Sequence, residues 1–160
     1  MSRTSAYFLA AGLLWAALPA TPVFAQQPGY GAPISLDLAK RAAAGAVAEA
    51  KRLKLAVAVA VVDTHGTPVY LEVLDDTMTA SPNFAFQKAR TAATLRRPSK
   101  ALEEGIAGGR NALLSLPDLL MLEGGEPVLL NGKLVGAIGV SGGTSGQDGQ
   151  IARAGVEAGK

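Results

Sequence analysis

No cysteine occurs in the chain, which excludes disulfides, thiolate nucleophiles, CxxC redox motifs and cysteine-ligated zinc. Histidine is almost as scarce: His65 is the sole imidazole. A zinc site would need three oxygen ligands beside it, and a Ser-His-Asp triad could use only that one base. Neither sign of charge dominates, since 15 Lys and Arg face 13 Asp and Glu for a formal net charge of +2. That balance argues against a dedicated nucleic-acid binder, which is normally markedly basic. Aromatic residues make up 5% of the chain but hydrophobic residues 49%, so a disordered chain is excluded as well. At 160 residues there is material for one hydrophobic core.

The apolar run Ala6 to Leu18 (AYFLAAGLLWAAL) is shorter than the roughly 18 residues that a bilayer span needs. With Arg3 before it and Val23-Phe24-Ala25 after it, the run reads as the centre of a signal peptide over residues 1–25, cleaved after Ala25. The expected mature protein is exported, periplasmic or secreted, and has no stable membrane span. Gln26 to Pro33 (QQPGYGAP) is rich in glycine and proline without apolar periodicity and reads as a flexible leader. Residues 34–160 are expected to form the domain.

Within that domain Ser35 is a candidate N-cap. Leu36, Ala39, Ala43, Ala46, Val47, Ala50 and Leu53 recur at helical spacing, and the alanines imply close packing on a sheet. Ala56 to Val62 (AVAVAVV) is continuously apolar, as in a strand covered on both faces. Asp63-Thr64-His65-Gly66 breaks it, and Pro68 to Leu74 reads as the returning strand of a hairpin. Ser81-Pro82 predicts a helix start with Ser81 as N-cap and an end at Arg97, before Pro98; a shorter helix is expected from Ser99 to about Gly105. Gly108 to Glu123 has no regular pattern. Pro127 to Leu130 and Leu134 to Val140 flank Asn131-Gly132, a strong hairpin signal, and Gly136 and Gly139 suggest close backbone approach. Gln147 to Ala158 offers a last helix. Hairpin-joined strands interleaved with helices, without a repeated βαβ unit, predict an α+β fold: an antiparallel sheet flanked by helices, in the style of profilin.

Several motifs bear on chemistry. Gly139-Val140-Ser141-Gly142-Gly143 matches the G-x-S-x-G nucleophile elbow, but that arrangement needs a histidine after the serine and His65 precedes it. Gly142 to Gly149 (GGTSGQDG) lacks both the phosphate-loop lysine and the dinucleotide-loop spacing, leaving at most a weak anion nest, with Asp148 favourably early in a helix. Between Asp76 and Glu103 there is no acid, yet Lys88, Arg90, Arg96, Arg97 and Lys100 all fall there. Helical geometry puts Phe84, Lys88, Thr91 and Leu95 on one face and Phe86, Arg90 and Arg97 on another. The first face sets a cation and a hydroxyl among apolar neighbours, which suits an apolar ligand bearing carboxylates. His65, in the hairpin turn, is either a solvated turn residue or an axial ligand to haem iron.

Taken together, Val59-Ala60-Val61-Val62-Asp63 with Gly66, Lys88-Ala89-Arg90-Thr91-Ala92, Gly124-Gly125-Glu126-Pro127, and Gly136 to Gly143 with Asp148 resemble the GlcG/HbpS-like haem-binding or haem-degrading domains, over Ile34 to Gly159. The family's Arg-Met-Asp-Gly run is replaced here by Val73-Leu74-Asp75-Asp76. The resemblance implies a five-stranded antiparallel sheet flanked by helices, assembly into a homo-oligomer and, in some members, bound haem, with Thr91 at the iron-proximal position. The resulting expectation is an exported haem-binding protein that captures or senses haem or its iron. Thr91 or His65 would be the alternative metal ligands, and Lys88 and Arg90 would face the propionates. No catalytic acid or base stands out, which ranks binding above an enzyme that degrades haem or acts on a small organic acid. A ligand-free oligomeric interaction subunit is the third class.

Overall fold

A computed structural model describes residues 27–160; the expected signal peptide and its cleavage point lie outside the described residues. The chain runs α1 (Leu36–Arg52), β1 (Ala58–Asp63), β2 (Pro68–Val73), α2 (Ser81–Leu95), α3 (Lys100–Ala107), a 3-10 turn (Asn111–Ser115), β3 (Gly125–Leu130), β4 (Lys133–Ser141) and α4 (Ser145–Ala158). The four strands form one antiparallel sheet in the order β2-β1-β4-β3. This is the α+β architecture expected, with four strands among the described residues where the resemblance implied five. The stretch that had no readable period, Gly108 to Glu123, forms the 3-10 turn and irregular chain rather than a strand.

The alternation inside AVAVAVV decides the layering. Val59 and Val61 enter the larger cluster with Ala39, Ala43, Ala46, Ile138, Val140 and Ile151, so α1 and α4 cover that face. Ala58, Ala60 and Val62 point the other way, toward Ala85, Ala89 and Ala92 of α2. Small side chains on both sides let α2 approach closely. At Gly139 an added Cβ would collide with the Ala85 carbonyl and the Ala89 amide, so only glycine fits. Burying this apolar surface from both sides is the main source of stability, at roughly 25 cal/mol per Å² removed from water.

Ends and turns follow local chemistry with two differences from the sequence reading. Ser35 caps α1 by accepting from the Leu38 amide at 3.2 Å, and Asn131 (φ 51) and Gly132 (φ 73) make the β3–β4 turn. The cap of α2, however, is Ala80, and Ser81 is already helical with its Oγ buried and unpartnered among the described residues. That helix also stops before Arg97: Arg96 adopts the left-handed conformation (φ 52, ψ 40) and closes it. The segment read as a leader is bonded to β4 beyond the end of β1, through Gly31 N to Leu134 O (2.7 Å), Leu134 N to Gly29 O (2.8 Å) and Ile34 N to Val135 O (2.7 Å).

Candidate functional site

His65 is set by a turn that the Asp63 carboxylate organises. Asp63 Oδ1 accepts from the amides of His65 (2.8 Å) and Thr67 (2.9 Å), an Asx-type arrangement in which one side chain replaces missing backbone partners. The His65 ring is held in turn by Thr64, whose Oγ1 lies 3.2 Å from Nδ1. Nε2 has no partner among the described residues, so an oriented imidazole presents one free nitrogen. That ring lines a cavity of about 460 Å³ together with Tyr30, Gly31, Pro33, Thr64 and Thr94. The wall is mixed: two hydroxyl-bearing threonines, an aromatic ring and a proline. The volume falls within the range of ordinary small-molecule sites.

Arg90 reaches this turn from α2. Gly66 has φ +80, and a Cβ there would lie 2.8 Å from Arg90 Cγ, so glycine both forms the turn and makes room for the arginine stem. Six residues further along, Arg96 lies over the Tyr30 ring at 5.1 Å and donates from Nη1 to the Pro28 carbonyl at 3.2 Å. Among the described residues no carboxylate lies within ion-pair distance of Arg90, Arg96 or Arg97.

Lys88 and Thr91 share a helical face as expected, but that face is turned into the protein. Lys88 Nζ meets Asp148 Oδ2 at 2.7 Å and donates to the Val140 carbonyl at 3.2 Å, with each side chain of the ion pair 3% exposed. The Thr91 hydroxyl donates to Gln87 O (2.9 Å) and accepts from the Leu120 amide (2.9 Å). Both polar groups are thus satisfied within the chain: the carboxylate beside Lys88 is its own Asp148. Burial pushes the Asp148 carboxyl above its ordinary range, while Lys88 and the amides of Gly143 and Gly142 pull it back. Asp148 Oδ1 accepts from Gly143 N at 2.8 Å, so the glycine-rich turn cradles this side chain instead of an external anion.

A second charged group closes the same end of the sheet. Glu123 receives Lys100 Nζ and Arg153 Nη1, both at 3.1 Å, and the same Nη1 reaches Glu126 at 3.2 Å. Ser141 stands apart from His65. The register pairs Ser141 with Ala58 and Asp63 with Gly136, which puts serine and histidine at opposite ends of β1, roughly 17 Å apart along the strand. A hydrolytic pair is excluded by that separation.

The structure therefore brings His65 and Arg90 together at one turn and leaves Lys88 and Thr91 beneath the helix. Sequence reasoning missed Asp63 as the organiser of the turn, although an Asp two residues before His65 is an Asx-turn signal. It also missed Tyr30, which has no periodic context. Glu123 gave no sign of its two cations.

An antiparallel four-stranded sheet with paired helices on one face, a close-packed alanine-rich helix on the other and an ordered histidine turn defines the class. The chain matches the family model described as haem degrading protein, HbpS-like, over residues 34–157. It belongs to that HbpS-like family. Protein GlcG of Escherichia coli strain K12 is 40% identical over 108 residues, covering 68% of this chain and 81% of its own. A crystal structure of HbpS superposes with a TM-score of 0.74 at 34% identity, covering 79% of this chain and 90% of that one. The crystal structure of the PduOC:haem complex gives a TM-score of 0.71 at 28% identity, with coverage of 79% and 94%.

Proposed function

We propose that this is an exported haem-binding protein whose ligand enters the cavity at the His65 turn. The observation that carries the reading is the imidazole fixed through Nδ1 by Thr64 on the wall of that cavity, in a turn against which the Arg90 stem packs at Gly66. The donor set fits haem: an imidazole suits the iron, Arg90 suits a propionate, and Tyr30 and Pro33 supply flat apolar contact. Lys88 and Thr91 act from below in this reading, holding α2 and the 116–122 segment in place. When bound, haem would supply an iron centre tuned by its axial ligand and by the polarity around it. Membership of the HbpS-like family and the likeness to the PduOC:haem complex support a haem-related ligand. Assembly into a homo-oligomer belongs to the same proposal, supported by the edge strand β2, which exposes Leu71 and Val73.

The test is a haemin titration followed through the Soret band, with His65→Ala and Arg90→Gln beside the wild type. Saturation at fixed stoichiometry, a shifted band and affinity weakened roughly tenfold or more in His65→Ala is the expected result. An unsaturable signal, the same in all three proteins, overturns the site. Intact mass and size-exclusion of the exported protein check cleavage before Gln26 and self-association on the same sample. Degradation of haem is the second reading, favoured by the family's description; it requires the Soret band to bleach with reductant faster than free haemin does.

A further inference from the structure

Arg96 and Arg97 are consecutive, both half-buried, and placed where α2 ends. Arg96 occupies a left-handed conformation that favours glycine or asparagine. The strained backbone sets its guanidinium on the Tyr30 ring and against the Pro28 carbonyl. The two arginines line a cavity of about 490 Å³ with Gln27, Pro28, Pro98, Ala101, Pro127 and Leu129, none of which lines the His65 cavity. The half-exposed cations Lys100 and Arg153, by contrast, are each paired with Glu123. Two uncompensated guanidiniums against apolar walls make a site for an anion.

The walls narrow the class of anion. Pro28, Pro98 and Pro127 carry no N–H, and the Ala101 amide is committed to the Pro98 carbonyl at 3.1 Å. Phosphate sites typically add clustered backbone amides, and here the Arg96 and Arg97 amides are both committed to the Ala92 carbonyl. The remaining donors are planar: the Gln27 amide and the guanidinium N–H groups left over once Arg96 Nη1 has donated to Pro28 O and Arg97 Nε to Leu95 O at 3.4 Å. Planar forks match a carboxylate, and the prolines with Leu129 offer contact to an apolar body. We infer that the cavity walled by Arg96, Arg97, Pro127 and Leu129 binds a small carboxylate with an apolar body, independently of the His65 site.

The experiment is a proton–nitrogen NMR titration of the protein with hexanoate, and in parallel with inorganic phosphate. Hexanoate is expected to shift the amides of Arg96, Arg97, Ala101 and Leu129 saturably while Thr64 and His65 stay in place. Arg97→Gln should weaken binding at least about tenfold. Arg110→Gln, at an exposed arginine outside both cavities, should match the wild type. Absence of saturable shifts, equal binding by Arg97→Gln, or phosphate acting as well as hexanoate overturns the inference. The wild-type map decides alone if Arg97→Gln fails to fold. His65→Ala should leave hexanoate binding unchanged, and Arg97→Gln should leave the Soret titration unchanged, so either site can fail without the other.

Discussion

Lys88 and Arg90 stand two residues apart on α2, and the chain treats their charges in opposite ways. Lys88 is 3% exposed in its side chain and locked to Asp148. Arg90 stays half-buried at the His65 turn with no carboxylate in reach among the described residues. The difference lies in what each side of the helix faces. Toward β4 the close approach at Gly139 excludes water, so a cation there must bring its own anion. Toward the β1–β2 turn the side chain stays half-buried within reach of solvent, where a cation needs no partner carboxylate. One helix thus has a paired, buried charge on one side and an unpaired, half-buried one on the other.

The largest effect should come from breaking the closed side. Lys88→Met leaves the Asp148 carboxylate buried without its cation, and such a loss typically destabilises by about 3–5 kcal/mol, a large part of the roughly 5–15 kcal/mol that holds a domain together. Adding Asp148→Leu should restore most of it, because the pair is then replaced by apolar groups of similar size. Arg90→Met should change stability by about 0.5 kcal/mol or less. Chemical denaturation of the four proteins measures this. If Lys88→Met were as harmless as Arg90→Met, the contrast between the two sides would be wrong. A loss of haemin binding in a Lys88 variant would likewise report on folding before it reported on contact.

The same contrast explains what was legible in the sequence. Strand β1 was readable because it is apolar up to Asp63, and its turn because Gly66 follows Asp63 in a break between two strands. The β3–β4 hairpin announced itself through Asn131-Gly132. Helical spacing correctly put Lys88 and Thr91 on one face. It could not tell whether that face looked outward, since the deciding partner, Asp148, lies 60 residues along the chain. Periodicity describes an element, whereas the burial of a charge depends on which other element arrives to meet it. Tyr30 shows the converse: it lies in a glycine- and proline-rich stretch without period, yet Arg96 and the edge of β4 hold it at the cavity. The fifth strand that the resemblance implied had no counterpart in the residue pattern, and the described residues pair four strands.

Two threonines on α2 sharpen the comparison at smaller scale. Thr91 Oγ1 accepts from the Leu120 amide, so Thr91→Val orphans a donor in the loop above and should cost about 1–3 kcal/mol. Thr94, which lines the open cavity, only donates back within its own helix, to Arg90 O at 2.8 Å and Thr91 O at 3.5 Å, and should tolerate valine within about 0.5 kcal/mol. Amide exchange adds a readout specific to the mechanism: protection at Leu120 should fall in Thr91→Val alone. Equal losses for the two variants would mean that the Thr91 bond contributes nothing beyond packing.

The smallest effect, and the one with a definite pH signature, divides the two carboxylates that share Arg153. Burial raises Glu123, but hydrogen bonds from Lys100 and Arg153 outweigh it and hold the group below its usual 4.5. Among the described residues Glu126 has Arg153 as its only ion-pair partner, and burial pushes it above 4.5. A carboxyl lowered in the folded state contributes stability that is present above 4.5 and lost as pH falls through the folded value. For a raised carboxyl the sign reverses: its contribution is full below 4.5 and disappears as pH rises through the folded value. Glu123→Gln should therefore be less stable than wild type at neutral pH, by about 1 kcal/mol because its cations are half-exposed, with the gap closing on acidification. Glu126→Gln should gain on wild type as pH rises, since it deletes a charge the fold holds at a cost. Thermal melts of both variants across pH measure the two slopes, and slopes of the same sign would show that pairing, not burial, governs both groups.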